Sequence, residues 1–582
     1  MTRIAIIDRE KCIKEKCGYI CQKVCPGVMM GQETVTIDKD GYPVISEILC
    51  TGCGICPKKC PTNAISIINL AQEIGQPIYQ YGINMFRLYG LALPAEGVVG
   101  FIGKNGIGKT TALHILSGII KPNFGDYTKE YDYEQISQKL SIVENQYFKK
   151  IQQKSIKISL KPQNIQKISE VFQGKVKDLL QKTLEKENIN KITELFELEK
   201  ILDRDIKQLS GGELQRLAIA IATGKEADIY YFDEPASYLD IEQRLKIAQI
   251  IKDLAQRKQL ILIEHDLTIF DYLVDFVYIF YGQENAYGII SKIKNARAGI
   301  NQYLEGYLKE ENVRFRNYEL KFEKVASEQP RNEIMLTYPN LKKTYPNFEF
   351  NAEAGQIYKG EVIGIIGKNS LGKTIFANII SGNLESDMSL DIKNRYKISY
   401  KPQYIKPKKD ISVLDYIKEN KIDGGFFEEL AVKLNINSIA DKYLDQLSGG
   451  ELQRVEITKT LSAQADIYIL DEPSAFLDIE QRLNLATLIQ RLISNSNKCC
   501  FVIDHDLLLI DAIANRIIVF EGKSSEYGRA NKPENKKDGF NRFLAGLNIT
   551  LRKDKETYRP RINKPDSRLD REQKEKGQYY FV

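Results

Sequence analysis

GKNGIGKT at residues 103–110 returns as GKNSLGKT at 367–374. Each follows an apolar run (GVVGFI, then EVIGII) and precedes a helical pattern, which is the strand, glycine loop and helix that a phosphate-binding P-loop requires. Backbone N–H groups of Gly103, Asn105, Gly106 and Gly108, with the positive end of the next helix, surround phosphate oxygens. Lys109 adds a point charge, and the Thr110 hydroxyl is placed for Mg²⁺, with Thr111 beside it. Gly367, Asn369, Gly372, Lys373 and Thr374 repeat the set. Ser370 replaces a loop glycine and Ile375 a threonine, so the two sites are expected to differ in nucleotide affinity or rate.

Working outward, every later motif also occurs twice in the same order. KISLKPQ (157–163) returns as KISYKPQ (397–403), and LSGGELQR at 209–216 as the same string at 447–454. The P-loop lysines are 264 residues apart but Gln163 and Gln403 only 240, so the first copy carries 24 additional residues, YDYEQISQKLSIVENQYFKKIQQK (131–154). Apolar positions there recur at helical spacing and predict one or two amphipathic helices, read as a partner contact with core packing as the alternative. The strands IYYFDEP and IYILDEP bring Asp233 and Asp471 to strand ends as metal-site acids, together with Gln163 and Gln403, and Glu234 and Glu472 to the place where an attacking water is polarised. ILIEHD and FVIDHD present His265 and His505, read as γ-phosphate contacts or as buried hydrogen-bonding groups; His114, on the helix after the first P-loop, reads as structural. LSGGE is a second anion site at a helix start, which its own P-loop does not explain. Tyr81 and Phe86 stand 28 and 23 residues before Lys109, as Tyr345 and Phe350 do before Lys373. One of each pair stacks on adenine or packs in the core.

A length of 582 residues suggests three or four domains, and 43% apolar with 27% charged residues is a globular balance. No apolar run reaches the ~18 residues of a spanning helix and no signal peptide is visible, so a cytoplasmic protein is expected. The net charge of +6 alone does not predict nucleic-acid binding. From charge alone the basic tail, 551–576, reads as a solvated terminus, with an arm for a polyanion as the alternative.

Eight of ten cysteines fall within residues 12–60. Cys12, Cys17, Cys21 and Cys25 are spaced C-x4-C-x3-C-x3-C; Cys50, Cys53, Cys56 and Cys60 reproduce the bacterial ferredoxin run, whose fourth cysteine ligates the other cluster. Two [4Fe-4S] clusters follow, one on Cys12, Cys17, Cys21 and Cys60, the other on Cys50, Cys53, Cys56 and Cys25. Zinc and disulfides fit the spacing less well. Whether the clusters carry electrons or serve structure is open. Cys499 and Cys500 read as packing in a buried strand.

The order of P-loop, glutamine, LSGGE, DEP, SYLD or AFLD and histidine resembles the ATP-binding-cassette ATPases over some 450 residues. That resemblance implies two head-to-tail cassettes: ATP on Lys109 closed over by Ser448, Gly449 and Gly450, and ATP on Lys373 by Ser210, Gly211 and Gly212. With the cysteines, the insertion and YRPRINK in the tail, the whole chain resembles the ribosome recycling factors of archaea and eukaryotes, the ribonuclease L inhibitor family. The implied fold is α/β: two tandem P-loop cassette domains (76–305, with a helix-loop-helix at about 131–157, and 331–545) after a small α+β ferredoxin-like domain (1–75), with a hinge at 306–330 and a basic hinge or tail at 546–582. The implied activity is Mg²⁺-dependent ATP hydrolysis that moves the iron–sulfur domain and splits ribosomes after termination or stalling. Implied partners are the small subunit with its RNA and a release factor or its stalled-ribosome relative, for a monomer with an internal pseudo-dimer and no membrane. Two other readings are an ATP-gated iron–sulfur electron carrier and a cassette subunit for separate membrane proteins.

Overall fold

The computed structural model describes residues 2–70, 75–321, 333–387, 392, 395–419, 422–494 and 496–580. Each repeat builds a nine-stranded sheet around the strand that enters its P-loop. In the first, Val98–Ile102 lies parallel between Gln259–Ile263 and Phe276–Gln283, with Ile229–Asp233 and then Ile158–Lys161 beyond the former. On the other side the order runs through Tyr287–Ile290 and Arg87–Tyr89 to Tyr79–Gln80. The second sheet repeats this order around Glu361–Gly367. Its strands Cys499–Ile503 and Ile467–Asp471 are buried along their whole length, which is why they read as unbroken apolar runs: covered on both faces, neither meets water. Cys499 and Cys500 are packing residues there, as expected.

The 24 extra residues form two helices, Tyr133–Lys139 and Ile142–Gln152, each opened by a capping box, Asp132 with Gln135 and Ser141 with Glu144. Ile136 and Phe148 are buried, whereas Ile142 and Val143 at the tip are 79% and 63% exposed.

Residues 2–70 pair Thr2–Ile7 with Ile65–Leu70 and Val35–Ile37 with Pro43–Ile45, around a core of Ala5, Ile7, Val35, Ile45 and Ile65 together with cysteines. So few apolar side chains make a small core, and modules of that size ordinarily need a further staple. This head docks on the first cassette through Asn84, which lies at φ +51° in the turn between Tyr81 and Phe86. Its amide accepts from Ile45 N (2.9 Å) and donates to Ala5 O (2.9 Å) and Ile45 O (3.1 Å), and its carbonyl accepts from Ile7 N. Arg87 adds two bonds to Glu47, at 2.8 and 2.9 Å.

The expected hinge forms the short pair Tyr307–Leu308 and Val313–Arg314, followed by a buried Arg316; its residues 322–330 lie outside the described residues. The tail corrects the reading from charge. Leu551–Lys553 pairs with Pro560–Ile562 and packs on the first cassette, where Arg559 is 0% exposed. Its guanidinium meets Asp271 at 3.4 Å and Asn301 at 2.5 Å, and Arg561 meets Asp271 at 2.6 Å and Asp554 at 3.3 Å. Charge counting takes every basic residue as solvated, whereas these two are neutralised by Asp271, distant in sequence, and by the neighbouring Asp554.

Candidate functional site

Both P-loops hold their lysines in the same way. Lys109 Nζ donates to Gly103 O (2.7 Å) and Lys104 O (2.6 Å), and Lys373 Nζ to Gly367 O (2.8 Å) and Lys368 O (2.7 Å). Burial pushes each ammonium down to about 8, opposed by nearby carboxylates. Thr110 Oγ1 donates to Asp233 Oδ2 at 2.9 Å and Thr374 Oγ1 to Asp471 Oδ2 at 2.8 Å. The other oxygen, Asp233 Oδ1, is buried and without a hydrogen-bond partner among the described residues. A hydroxyl, a carboxylate and an orphaned carboxylate oxygen form a hard-oxygen donor set that fits a Mg²⁺ ion with its waters.

Directly after these aspartates, Glu234 and Glu472 turn the chain through φ +50° and +48°. Such a conformation in a non-glycine residue is uncommon and concentrates at functional sites. Gln163 Nε2 donates to Glu234 Oε1 at 2.7 Å and Gln403 Nε2 to Glu472 Oε1 at 2.7 Å; His265 Nε2 and His505 Nε2 stand 3.6 Å from the same oxygens. Burial, then the neighbouring Asp471 and Asp504, push Glu472 up to about 7, and burial with Asp233 raises Glu234. Burial drives both imidazoles well below their usual range, so they are neutral at pH 7. A carboxylate near neutrality beside a neutral imidazole can orient a water and take its proton.

The two halves contact each other through the SYLD and AFLD turns. Asn105 N donates to Asp478 Oδ2 (3.1 Å) and Asn105 Nδ2 to Phe476 O (3.3 Å), while Asn369 N donates to Asp240 Oδ2 (2.8 Å). Tyr238 and Phe476, at φ +65° and +61°, meet edge to face at 5.8 Å. Each P-loop therefore abuts the other copy, in both directions. Ser210 and Ser448 cap the helices Gly211–Gly224 and Gly449–Ser462 in capping boxes with Glu213 and Glu451. Gly211 and Gly212 lie against Tyr238, and Gly449 and Gly450 against Phe476, on the turns that cross to the other half.

Tyr81 is 45% exposed, and its hydroxyl lies 3.0 Å from Thr111 Oγ1. Phe86 is half-buried against Gly108, where a Cβ would meet its ring at 2.7 Å. In the second copy, counting back from Lys373 misplaces the partner of Phe86. Leu88 pairs with Gly288 and Phe350 with Gly528, so Phe350 takes the place of Leu88 and Phe348 that of Phe86. Phe350 is 0% exposed and stacked on Phe520. It is core, not an adenine platform. The turn between the aromatics has four residues (82–85) in the first copy and two (346–347) in the second, which breaks the constant offset.

In the head, Cys25, Cys50, Cys53 and Cys56 line one cavity. The thiols that act electrostatically on Cys12 are Cys17 and Cys60, and those that act on Cys21 are Cys17, Cys60 and Cys12. Burial, followed by neighbouring thiols, pushes Cys21 up to about 11 and Cys56 up to about 12. Among the described residues no three ligating side chains converge on a single ion. The four thiols that line this cavity are soft donors of the kind an iron–sulfur cluster takes.

The ABC transporter family model matches residues 88–237 and 351–475. Translation initiation factor RLI1 of Saccharomyces cerevisiae is 43% identical over all of this chain and 98% of its own. A solved structure described as a model of ribosome-bound archaeal Pelota and ABCE1 matches with TM-score 0.92 and 44% identity, covering 100% of this chain and 99% of that one. The archaeal ribosome recycling factor aABCE1, in a complex with the ribosomal stalk protein aP1, matches with TM-score 0.81 and 43% identity over 88% and 100%. This chain belongs to the RLI1/ABCE1 family. Its two ABC ATPase domains bind ATP, and despite the transporter label no helix among the described residues is long and apolar enough to cross a membrane.

This RLI1/ABCE1 member also holds residues that motif reading passed over. Lys161 and Lys401, fully buried, donate to Asp233 O (2.7 Å) and Asp471 O (2.8 Å). Gln215 and Gln453, from LSGGELQR, donate to Glu234 O (2.8 Å) and Glu472 O (2.7 Å). They clamp the turn that carries each glutamate. The duplicated strings KPQ and ELQR were the available signal.

Proposed function

We propose that this chain is an ATP-driven ribosome recycling factor that splits ribosomes into subunits after termination or stalling, then stays on the small subunit and acts in initiation. The observation that carries this reading is the position of Asn84. The residue that pins the head sits three residues from Tyr81 and two from Phe86, in the turn beside the first P-loop. Movement of that hairpin as nucleotide is clasped is therefore movement of the head.

In each site the P-loop amides and Lys109 or Lys373 bind the phosphates, and Tyr81 and Phe86 receive the adenine of the first. Ser448, Gly449 and Gly450 close the first site, and Ser210, Gly211 and Gly212 the second. Thr110, Gln163 and Asp233, with Thr374, Gln403 and Asp471, hold Mg²⁺, which neutralises phosphate charge. Glu234 and Glu472 accept the proton of the attacking water, and His265 and His505 contact the γ-phosphate. The eight head cysteines hold two [4Fe-4S] clusters, which staple a module too small to be rigid unaided. ATP shared between halves favours the closed form, and moving a population from 1:99 to 99:1 takes about 5.5 kcal/mol of differential binding. Partners are the small subunit with its RNA, met by the insertion and tail, and a release factor or Pelota-like protein, in the cytoplasm.

The test is a density gradient of ribosomes with the protein and a Pelota-like factor. Splitting with ATP, association with the small subunit in a non-hydrolysable analogue and neither with ADP are expected. Equal profiles under all three conditions would sink the reading.

A further inference from the structure

The first cassette carries two features that the second lacks, and they touch. Tyr147, on the inserted helix Ile142–Gln152, reaches into the cassette, where its hydroxyl lies 2.7 Å from Leu116 O and 2.5 Å from the Tyr231 hydroxyl. Tyr231 is fully buried on the strand Ile229–Asp233, 3.3 Å from the same carbonyl. The protons can be assigned: Tyr147 donates to Leu116 O, and Tyr231 donates to the Tyr147 oxygen. Leu116 O accepts from Tyr147 and lies within reach of Tyr231 as well, so the two hydroxyls and this carbonyl form one network that loses its shortest bond when either hydroxyl is removed.

Leu116 ends the helix Lys109–Leu116, and Tyr231 precedes Asp233 by two residues on the same strand face. Helix and strand are thus tied at both ends of one seam. At the front, Thr110 bonds Asp233 at the cation site; at the back, the two tyrosines bond Leu116. In the second copy the corresponding positions are Ile380 and Ile469, both fully buried in an apolar cluster, with no insertion above them. The buried tyrosine of this seam occurs in the copy whose inserted helix supplies Tyr147 as its nearest partner. The two inserted helices are joined to each other and to the cassette: Ser137 and Asn145 bond them at 2.6 Å, and Ile151 packs against the turn at Gly118 just beyond Leu116.

We propose that Tyr147 and Tyr231 are positioning residues through which the inserted helices set the geometry of Thr110, Asp233 and Glu234, so that a partner bound at the insertion adjusts hydrolysis at the first site and not at the second. This rests on the reading that the insertion faces the small ribosomal subunit.

The test uses the full chain with Y147F and Y231F, which keep the rings. First-site turnover is read in a Glu472→Gln background and second-site turnover in a Glu234→Gln background, with and without purified small subunits. Both variants are expected to sediment with the subunit like the parent, yet to lose about threefold or more of its effect on the first site, with the second unchanged. The double variant is expected to lose no more than either single one, because the hydroxyls act as a pair. An unaltered first-site response, or an equal loss at both sites, would overturn the proposal. Deleting residues 131–154 separates the two readings. Lost sedimentation with an unaltered Y147F response defeats the coupling alone; unchanged sedimentation defeats the partner surface and removes the input of the coupling with it.

Discussion

The lysine, threonine, glutamine and histidine contacts of the two nucleotide sites agree to within a tenth of an ångström, but their surroundings do not. At the first, Ser237 donates to Glu234 Oε2 at 3.1 Å, where the second has Ala475. At the second, Ser370 holds φ +60° where the first has Gly106, a conformation that costs an L-residue roughly 1–2 kcal/mol. The AFLD turn at the first site is followed by Glu480, 5% exposed, which bonds the Tyr318 hydroxyl and meets Lys104 at 3.0 Å and Arg316 at 3.4 Å. Its counterpart Glu242 meets, among the described residues, a half-exposed Lys368 at 2.9 Å. Head, hinge and insertion all converge on the first site. Duplication preserved the reacting groups, and divergence went into what each site is wired to.

The largest expected effect tests the shared chemistry. Glu234→Gln and Glu472→Gln should each lower turnover at their own site by about 10²–10⁴ and leave bound ATP trapped; single-turnover hydrolysis checks this, and fast product release in both would break the equivalence of the sites. Next come the hubs. Glu480→Ala strands a buried guanidinium and is expected to cost about 3–5 kcal/mol, against about 1 kcal/mol or less for Glu242→Ala. Thermal denaturation of the full chain reads the difference, and equal shifts would mean the hinge is not anchored there. Asn84→Ala leaves head backbone groups unpaired, at about 1–3 kcal/mol. Hydrogen exchange in 2–70 should rise while both cassettes keep their protection.

The smallest effect sharpens the comparison. Glu472 is active as its anion and its carboxyl is pushed up to about 7, so second-site turnover should rise as pH increases through about 7 and fall below it. Ser237 stabilises the anion of Glu234. Ser237→Ala should therefore move the first-site profile toward higher pH, and Ala475→Ser should move the second toward lower pH. Profiles that do not move would assign the hydroxyl to packing.

Short contiguous motifs were legible because their function lies in local backbone geometry: a glycine turn, a helix start, a strand end. GKNGIGKT, DEP, LSGGE and the cysteine runs are all of this kind. The aromatic count failed after one step because a turn two residues shorter in the second copy moved Phe348 into the place expected of Phe350. The tail arginines were misread from charge alone because their partner, Asp271, is 288 residues from Arg559.

From the chain's letters alone came two P-loops, two acid pairs, eight clustered thiols and an insertion in one half, since each of these is fixed by neighbours in sequence. Folding in three dimensions decided how those parts are joined: that Asp478 meets Asn105 across 373 residues, that Asn84 fastens the head beside Tyr81, and that Tyr147 finds Tyr231. Such contacts depend on the packing of whole domains, which leaves no period or spacing in the sequence to read.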